Sequence, residues 1–375
     1  MIFVEGLNSI PQVPPGSVAL ISKIHHAAID GMSGADVLSI LFDTTSKRRE
    51  VPLAKKRNEA VVPGNFKLVI HSVRNFITRP LKLPRLIFET AKATVKAGYL
   101  TRIQGLETPT LPFNAPRSKL NVKVGPDRSW DTALLDLKRV KALRHAVPGS
   151  TVNDVLLTIC AGALRRYLLN KKDLPDKPLV AMVPVSTRTK QDKNSMGNKI
   201  SAMFIQLATD IEDHIERLQK ICKSTKTGKT YQEAINAKSL VEYAEFIPFG
   251  LAGLAARLYS RANISKRHKP FFNLVISNVP GPQMPLYMDG HRFLAHMSVA
   301  PIFDGMGLIM PIFSYNGLVA ISLTSAPNII PDADICKLAR YLREVANEME
   351  ADVFAKSNIK KIMPETGMKP DPSSC

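Results

Sequence analysis

Several protein classes are excluded by what this sequence has little of. No run of apolar residues approaches the eighteen or more that a membrane-spanning helix needs. Cysteine is scarce: Cys160, Cys222, Cys336 and Cys375 lie far apart with no CxxC pairing. That spacing argues against a disulfide framework or a zinc site, and predicts reduced thiols of a cytosolic protein. Aromatic residues are only 6% of the chain, with one tryptophan, Trp130. Neither Lys nor Arg precedes Lys23 and no long apolar core stands at the start, so a secretory signal is not expected. The chain is also short of acid, with 32 Asp and Glu against 51 Lys and Arg, a net charge of +19. Hydrophobic residues, at 45%, are plentiful enough for a sizeable core.

Much of the positive charge sits in one place. Between Lys47 and Lys96 there are thirteen Lys or Arg and three acids, a net of +10. Such a stretch can meet nucleic acid, an anionic membrane surface or an anionic cofactor, or simply be a solvated linker. Nucleic acid is disfavoured because aromatic residues are scarce in the chain, the one tryptophan lies outside the stretch, and no binding module is recognisable. Within the stretch Leu83, Leu86, Ile87, Thr90, Ala91, Thr94 and Val95 recur at helical spacing, with Lys82, Arg85, Lys92 and Lys96 between them. This is a basic amphipathic helix, suited either to packing on a core or to lying on a membrane surface.

The remainder alternates strands and helices. A Pro-rich opening leads to a buried strand from Val18 to about Ile24, a loop over 25–34 and a helix over 35–42. Strands are expected at 132–137, 179–186, 200–208 and 271–277. Two more, 307–315 and 318–324, are joined by Asn316-Gly317, a strong hairpin signal. Helices are expected at 151–169, at 211–223 with Thr209 and Glu212 as its capping box, and from an Asp332 cap to about Phe354. This order predicts an α/β sandwich with a mixed sheet. The expected divisions are residues 1–43, a crossover linker at 44–117, a main unit at 118–356 and a polar tail at 357–375.

The sharpest motif is His25-His26-Ala27-Ala28-Ile29-Asp30-Gly31, between a predicted strand and a predicted helix. A histidine there can take a proton from a hydroxyl and return it to a leaving group, with Asp30 fixing the loop or orienting the ring. Other candidates fail. Thr227-Gly228-Lys229-Thr230 lacks the first glycine and the preceding strand of a phosphate-binding loop, and His291 and His296 lack metal-ligand spacing.

HHxxxDG resembles the signature of the acyltransferase superfamily that includes chloramphenicol acetyltransferase, peptide-synthetase condensation domains and plant acyl-CoA-dependent acyltransferases. Three further segments narrow the likeness to the bacterial wax ester synthase/diacylglycerol acyltransferase family. They are Thr151-Val152-Asn153-Asp154-Val155-Leu156, then Met182-Val183-Pro184-Val185-Ser186-Thr187-Arg188 with Met196-Gly197-Asn198, and Asn273-Leu274-Val275-Ile276-Ser277-Asn278-Val279-Pro280-Gly281-Pro282. Their order fits from about Val4 to about Phe354. The resemblance implies a chloramphenicol-acetyltransferase-like two-half sandwich whose first half is truncated, because the family has several elements before this loop.

It also implies a fatty acyl-CoA donor, a diacylglycerol or long-chain alcohol acceptor, and no resident cofactor or metal. The implied location is cytoplasmic, in peripheral contact with an anionic membrane or a lipid droplet. The implied catalytic set is His26 as base, with His25, Asp30 and Gly31 in its loop. Asn153, Asp154, Arg188, Ser277 and Asn278 support or bind. Arg188 is expected to pair with Asp30 in a buried ion pair. Asp154 is expected either to shape the channel or to close a helix cap, and Ser277 and Asn278 either to bind an acyl oxygen or to hold the Pro-Gly-Pro turn.

Overall fold

The computed structural model describes residues 1–10, 13–25, 40–48, 114–186, 200–234 and 249–357, with Leu38 and scattered positions between 64 and 110. Strands β1 (Ile2–Val4) and β2 (Ala19–Ile21) form an antiparallel pair with Ile2 opposite Ile21. The strand expected to be buried is therefore an exposed ribbon: Ile2 and Ile21 both stand more than half in solvent. The apolar run that suggested burial is satisfied by pairing with β1, an element not anticipated in the Pro-rich opening.

Strand β3 (Ser129–Asp136) runs straight into helix α1 (Leu137–Leu143). Asp136 makes that transition, its carboxylate accepting from the backbone N–H groups of Lys138 and Arg139. Helix α2 (Val152–Asn170), strands β4 (Val180–Ser186) and β5 (Ile200–Gln206), and helices α3 (His214–Ala234) and α4 (Phe249–Arg261) follow. The chain continues with β6 (Leu274–Pro280), the short pair β7 (Tyr287–Met288) and β8 (His291–Arg292), the hairpin β9 (Leu308–Tyr315) and β10 (Leu318–Ser325), and α5 (Asp332–Ser357).

Two helix starts differ from expectation. Thr209 is buried, with its hydroxyl accepting from the Leu179 N–H, so it cannot cap α3. Asp213 does so instead, accepting from Ile215 and Glu216 N–H at 2.8 Å each. Asp332 is the first residue of α5 and not its cap; the Pro331 carbonyl receives the opening hydrogen bonds from Asp334 and Ile335.

Six strands make one mixed sheet in the order β3-β10-β9-β6-β4-β5, with β4, β6 and β9 mutually parallel. The hairpin turn has Asn316 at φ 44° and Gly317 at φ 84°, the two positive angles that a tight turn matching strand twist requires. Helices α2, α3 and α5 cover one face. Leu156, Ile159, Leu164, Leu218, Leu338 and Leu342 meet Ile205, Leu274, Ile276, Ile312 and Leu323 there, all nearly inaccessible. The opposite face carries two smaller clusters. One unites Leu38 and Phe42 with Leu286, Phe313 and Tyr315, so the described end of the helix expected over 35–42 does pack on the sheet. The other joins Val275, Ile302, Met306 and Ala326. Apolar side chains on both faces explain why these strands read as continuous apolar runs and not as alternating ones.

The sheet has a seam. β4 and β5 pair along their whole length, but β4 meets β6 only at Ala181–Leu274 and Met182–Val275. The Leu207 N–H bonds to the Leu179 carbonyl, which sets the phase of the β4–β5 ladder. N–H groups at even positions of β4 therefore point toward β6. Val180 uses its own on the Asn273 side chain. Pro184, the second even position after it, has no N–H to give. Beyond Met182 the two strands are registered with different neighbours only, β4 with β5 and β6 with β9.

Candidate active site

Past the seam, the end of β6 lies beside the start of α2. Thr151 is the N-cap of α2, and its hydroxyl oxygen accepts from the Asp154 N–H. Asp154 answers by accepting the Thr151 N–H at 2.7 Å, which completes a capping box. Its other oxygen accepts the Thr225 hydroxyl of α3, also at 2.7 Å. Of the two roles expected for Asp154, the geometry is that of the cap: the carboxylate is buried, and three donors occupy it.

Asn153, one residue earlier, is free of that box. Its Oδ1 accepts from Asn278 Nδ2 at 3.2 Å. Strand alternation explains the meeting. Leu274 and Ile276 point into the helix-side core, so Asn278 shares their face, while Ser277 shares the opposite face with Val275 and Val279. Adjacent strand residues take opposite faces, so of Ser277 and Asn278 only Asn278 reaches α2.

Neither residue holds the Pro-Gly-Pro turn. The Gly281 N–H donates to the Ser314 carbonyl at 2.9 Å, and the Asn316 N–H to the Pro282 carbonyl at 3.1 Å. A Cβ on Gly281 would come within 2.5 Å of both the Phe313 ring and the Ser314 carbonyl oxygen, so only glycine fits.

The histidine loop departs from β2. His25 is exposed, four residues past Ile21. His26, Asp30 and Gly31 lie outside the described residues, as does Arg188 with the expected Asp30–Arg188 pair. Of the candidate set, the structure thus joins Asn153 to Asn278 and turns Asp154 inward beside them.

The rejected candidates have other surroundings. Residues 227–230 lie within α3, where Gly228 packs against Ile205 and Met203 of β5. His296 is sandwiched by Phe313 and Phe293, and burial pushes its pKa below the usual histidine value. Among the described residues no three His, Cys, Asp or Glu side chains group as a metal site would need.

Sequence reasoning missed a buried asparagine pair at the seam. Asn273 accepts the Val180 N–H through Oδ1 at 2.9 Å and donates through Nδ2 to the Pro116 carbonyl and to Asn121 Oδ1, at 2.7 and 2.8 Å. Asn121 in turn donates to the carbonyls of Phe272 and Gly305. The signal was an asparagine directly before the buried apolar run Leu274–Ile276, a position where an unpaired amide would be costly.

Residues 1–156 match the wax ester synthase/diacylglycerol acyltransferase catalytic domain, and residues 196–350 match the C-terminal domain of the same family. A Mycobacterium bovis protein provisionally named a diacylglycerol O-acyltransferase is 32% identical over 93% of this chain and 73% of its own length. The chain belongs to the wax ester synthase/diacylglycerol acyltransferase family. Another member, the O-acyltransferase WSD of Acinetobacter baylyi, is 30% identical over 94% of this chain and 74% of its own. A provisionally named diacylglycerol O-acyltransferase of Mycobacterium tuberculosis is 33% identical over 84% of the chain, which spans 61% of that relative's length. The wax ester synthase/diacylglycerol acyltransferase of Marinobacter aquaeolei VT8 superposes with a TM-score of 0.57 at 26% identity, over 88% of this chain and 67% of that one. The family's fold, expected from the motifs, is the one observed.

Proposed function

We propose that this chain transfers a fatty acyl group from acyl-CoA to the hydroxyl of diacylglycerol or a long-chain alcohol. The observation that carries this reading is the HHxxxDG loop following β2 in a chain of this family. His26 removes the acceptor's proton as the oxygen attacks the thioester carbonyl; the tetrahedral intermediate collapses, and coenzyme A leaves as a thiol bearing the proton from His26. No covalent acyl-enzyme is formed and no metal takes part. The intermediate's oxyanion requires a preorganised donor, and we assign Asn278 to it. Asn153 Oδ1 engages one proton of Asn278 Nδ2 and fixes the amide plane, which leaves the second proton for the oxyanion.

The acceptor is apolar, so the protein must reach a lipid surface. No described helix is long and apolar enough to cross a membrane. The basic stretch offers a peripheral contact. Arg85, Phe88, Ala91, Lys92, Val95 and Tyr99 are helical and exposed, with Phe88, Val95 and Tyr99 each about two-thirds or more in solvent. That exposure favours the surface role over packing on this chain's own core, while the same cations can attract the phosphates of coenzyme A.

Transfer of labelled acyl groups from acyl-CoA to diacylglycerol or hexadecanol tests the chemistry. His26→Ala should lose about 10²–10⁴-fold in rate. Asn278→Ala should lose about 10²–10³-fold in kcat, with Asn153→Ala losing less because it acts only by orienting the amide. Parent-like rates in His26→Ala would refute the proposed chemistry.

A further inference from the structure

Helix α4 is poorly explained by the fold itself. Every residue from Gly253 to Leu258 is exposed, and the helix's chief packing partner among the described elements is the single 3-10 turn Ile264–Lys266. Leu254 and Leu258, one turn apart, are 52% and 53% exposed. At 100° per residue, Arg257 and Arg261 flank the same outward arc. A short helix of this kind gains its stability from burying an apolar face, and the described core offers α4 none.

The charge around it is of one sign. From Phe246 to Met288 the sequence holds Arg257, Arg261, Lys266, Arg267 and Lys269 and no Asp or Glu. Tyr259 faces away from the leucines. With His268 and Phe303 it lines a cavity of about 100 Å³, its hydroxyl 2.8 Å from His268 Nε2. That cavity sets Phe303, 58% exposed, beside the C-terminal end of α4. The one carboxylate facing the cavity, Asp304, accepts the Val124 N–H.

We propose that the outward face of α4, with Phe303 and the cations Arg257, Arg261, Arg267 and Lys269, docks onto an anionic lipid surface. This rests on the acyltransferase reading above and adds a second place where the protein meets its lipid, separate from the basic stretch. The charge decides the occupant. Apolar side chains flanked by four cations, with the neighbouring Asp304 engaged by the Val124 N–H, suit the boundary between headgroups and acyl chains. A self-complementary contact between two copies would bring four positive charges against four. The surface adjoins the segment just before β6, whose Phe272 lies six residues from Asn278, or about 20 Å along an extended chain. Its residues therefore have no part in the proposed chemistry.

Sedimentation of the full chain with vesicles of phosphatidylcholine containing phosphatidylglycerol, against phosphatidylcholine alone, tests this. Changing Arg257, Arg261, Arg267 and Lys269 to Gln should weaken binding about fivefold per engaged cation. Leu254→Ser with Leu258→Ser should weaken it by roughly tenfold or more. All six positions are exposed, so each variant should fold as the parent does, and transfer between detergent-dispersed substrates should be unchanged. Amide exchange in α4 should slow only when anionic vesicles are present.

The inference is overturned if both variant sets bind vesicles like the parent, or if only Lys82, Arg85, Lys92 and Lys96 changed to Gln lose binding. It is also overturned if α4 is already protected without lipid, or if the leucine variants change oligomeric state instead. An inactive parent with intact, α4-dependent vesicle binding would sink the acyltransferase reading and leave the docking surface standing.

Discussion

Replacing Asn273 by Ala should destabilise the protein by about 3–4 kcal/mol. The side chain is wholly buried, and three groups depend on it. The Val180 N–H, on a buried residue, loses its acceptor, at about 2 kcal/mol for a stranded donor. The Pro116 carbonyl and Asn121 Oδ1 each lose a donor, at about 0.5–1 kcal/mol each, because carbonyl oxygens tolerate partial satisfaction better than N–H groups do. Urea denaturation followed by circular dichroism measures the sum, and the thermal midpoint should fall by about 6–12 °C. Because Asn273 Nδ2 bonds directly to Asn121 Oδ1, a double-mutant cycle with Asn121→Ala should be clearly non-additive. An Asn273→Ala protein within about 1 kcal/mol of the parent, or a cycle that adds, would show that the pair does not hold the seam.

Asp154→Ala removes the acceptor in a capping box and strands the buried Thr225 hydroxyl, so it should cost about 2–4 kcal/mol in the same denaturation assay. Normal stability with lost acyl transfer would restore the channel role. Gly281→Ala forces a methyl against the Phe313 ring and the Ser314 carbonyl, and should cost about 1–3 kcal/mol; an unchanged thermal midpoint would contradict the close approach. Burial lowers the folded-state pKa of His296, so below about pH 6.5 the unfolded chain binds the proton that the folded chain refuses. Stability should fall as pH drops through that value. His296→Leu should flatten part of the decline measured by thermal denaturation across pH, and an identical slope would refute the assignment.

The sheet was largely legible in the sequence because its strands are β-branched runs bounded by turn residues, and Asn316-Gly317 marked the hairpin without ambiguity. Helix α1 was not, because Asp136 ends a strand and caps a helix with no turn residue between them. Helix α4 was hidden by Gly250 and Gly253 in its first turns, residues that disfavour a helix. The two capping boxes show the limit of local patterns. Thr151 and Asp154 bond each other's backbone N–H groups and close as expected. Thr209 and Glu212 have the same spacing, but Thr209 is drawn into the core by the Leu179 N–H, a partner thirty residues away. The site was legible as a set of motifs and not as an arrangement. Asn153 and Asn278 are 125 residues apart, and their contact follows from which face of β6 each side chain takes.

The seam at Pro184 bears on the order in which this molecule folds. The hairpin β9–β10 closes a two-residue turn, and β5 returns against β4 after thirteen residues, so both ladders form from contacts nearer in sequence than those of β6. Strand β6 must then be held between partners that lie far from it along the chain, and on the β4 side it finds two registered positions and the amide of Asn273. Closing such distant contacts is entropically costly, and with only two registered positions and one amide to hold it we expect this joint to form late. Substitutions at Asn273 should therefore hasten unfolding while leaving the folding rate nearly as it was, and the kinetic lifetime of the folded sheet is set at its narrowest join.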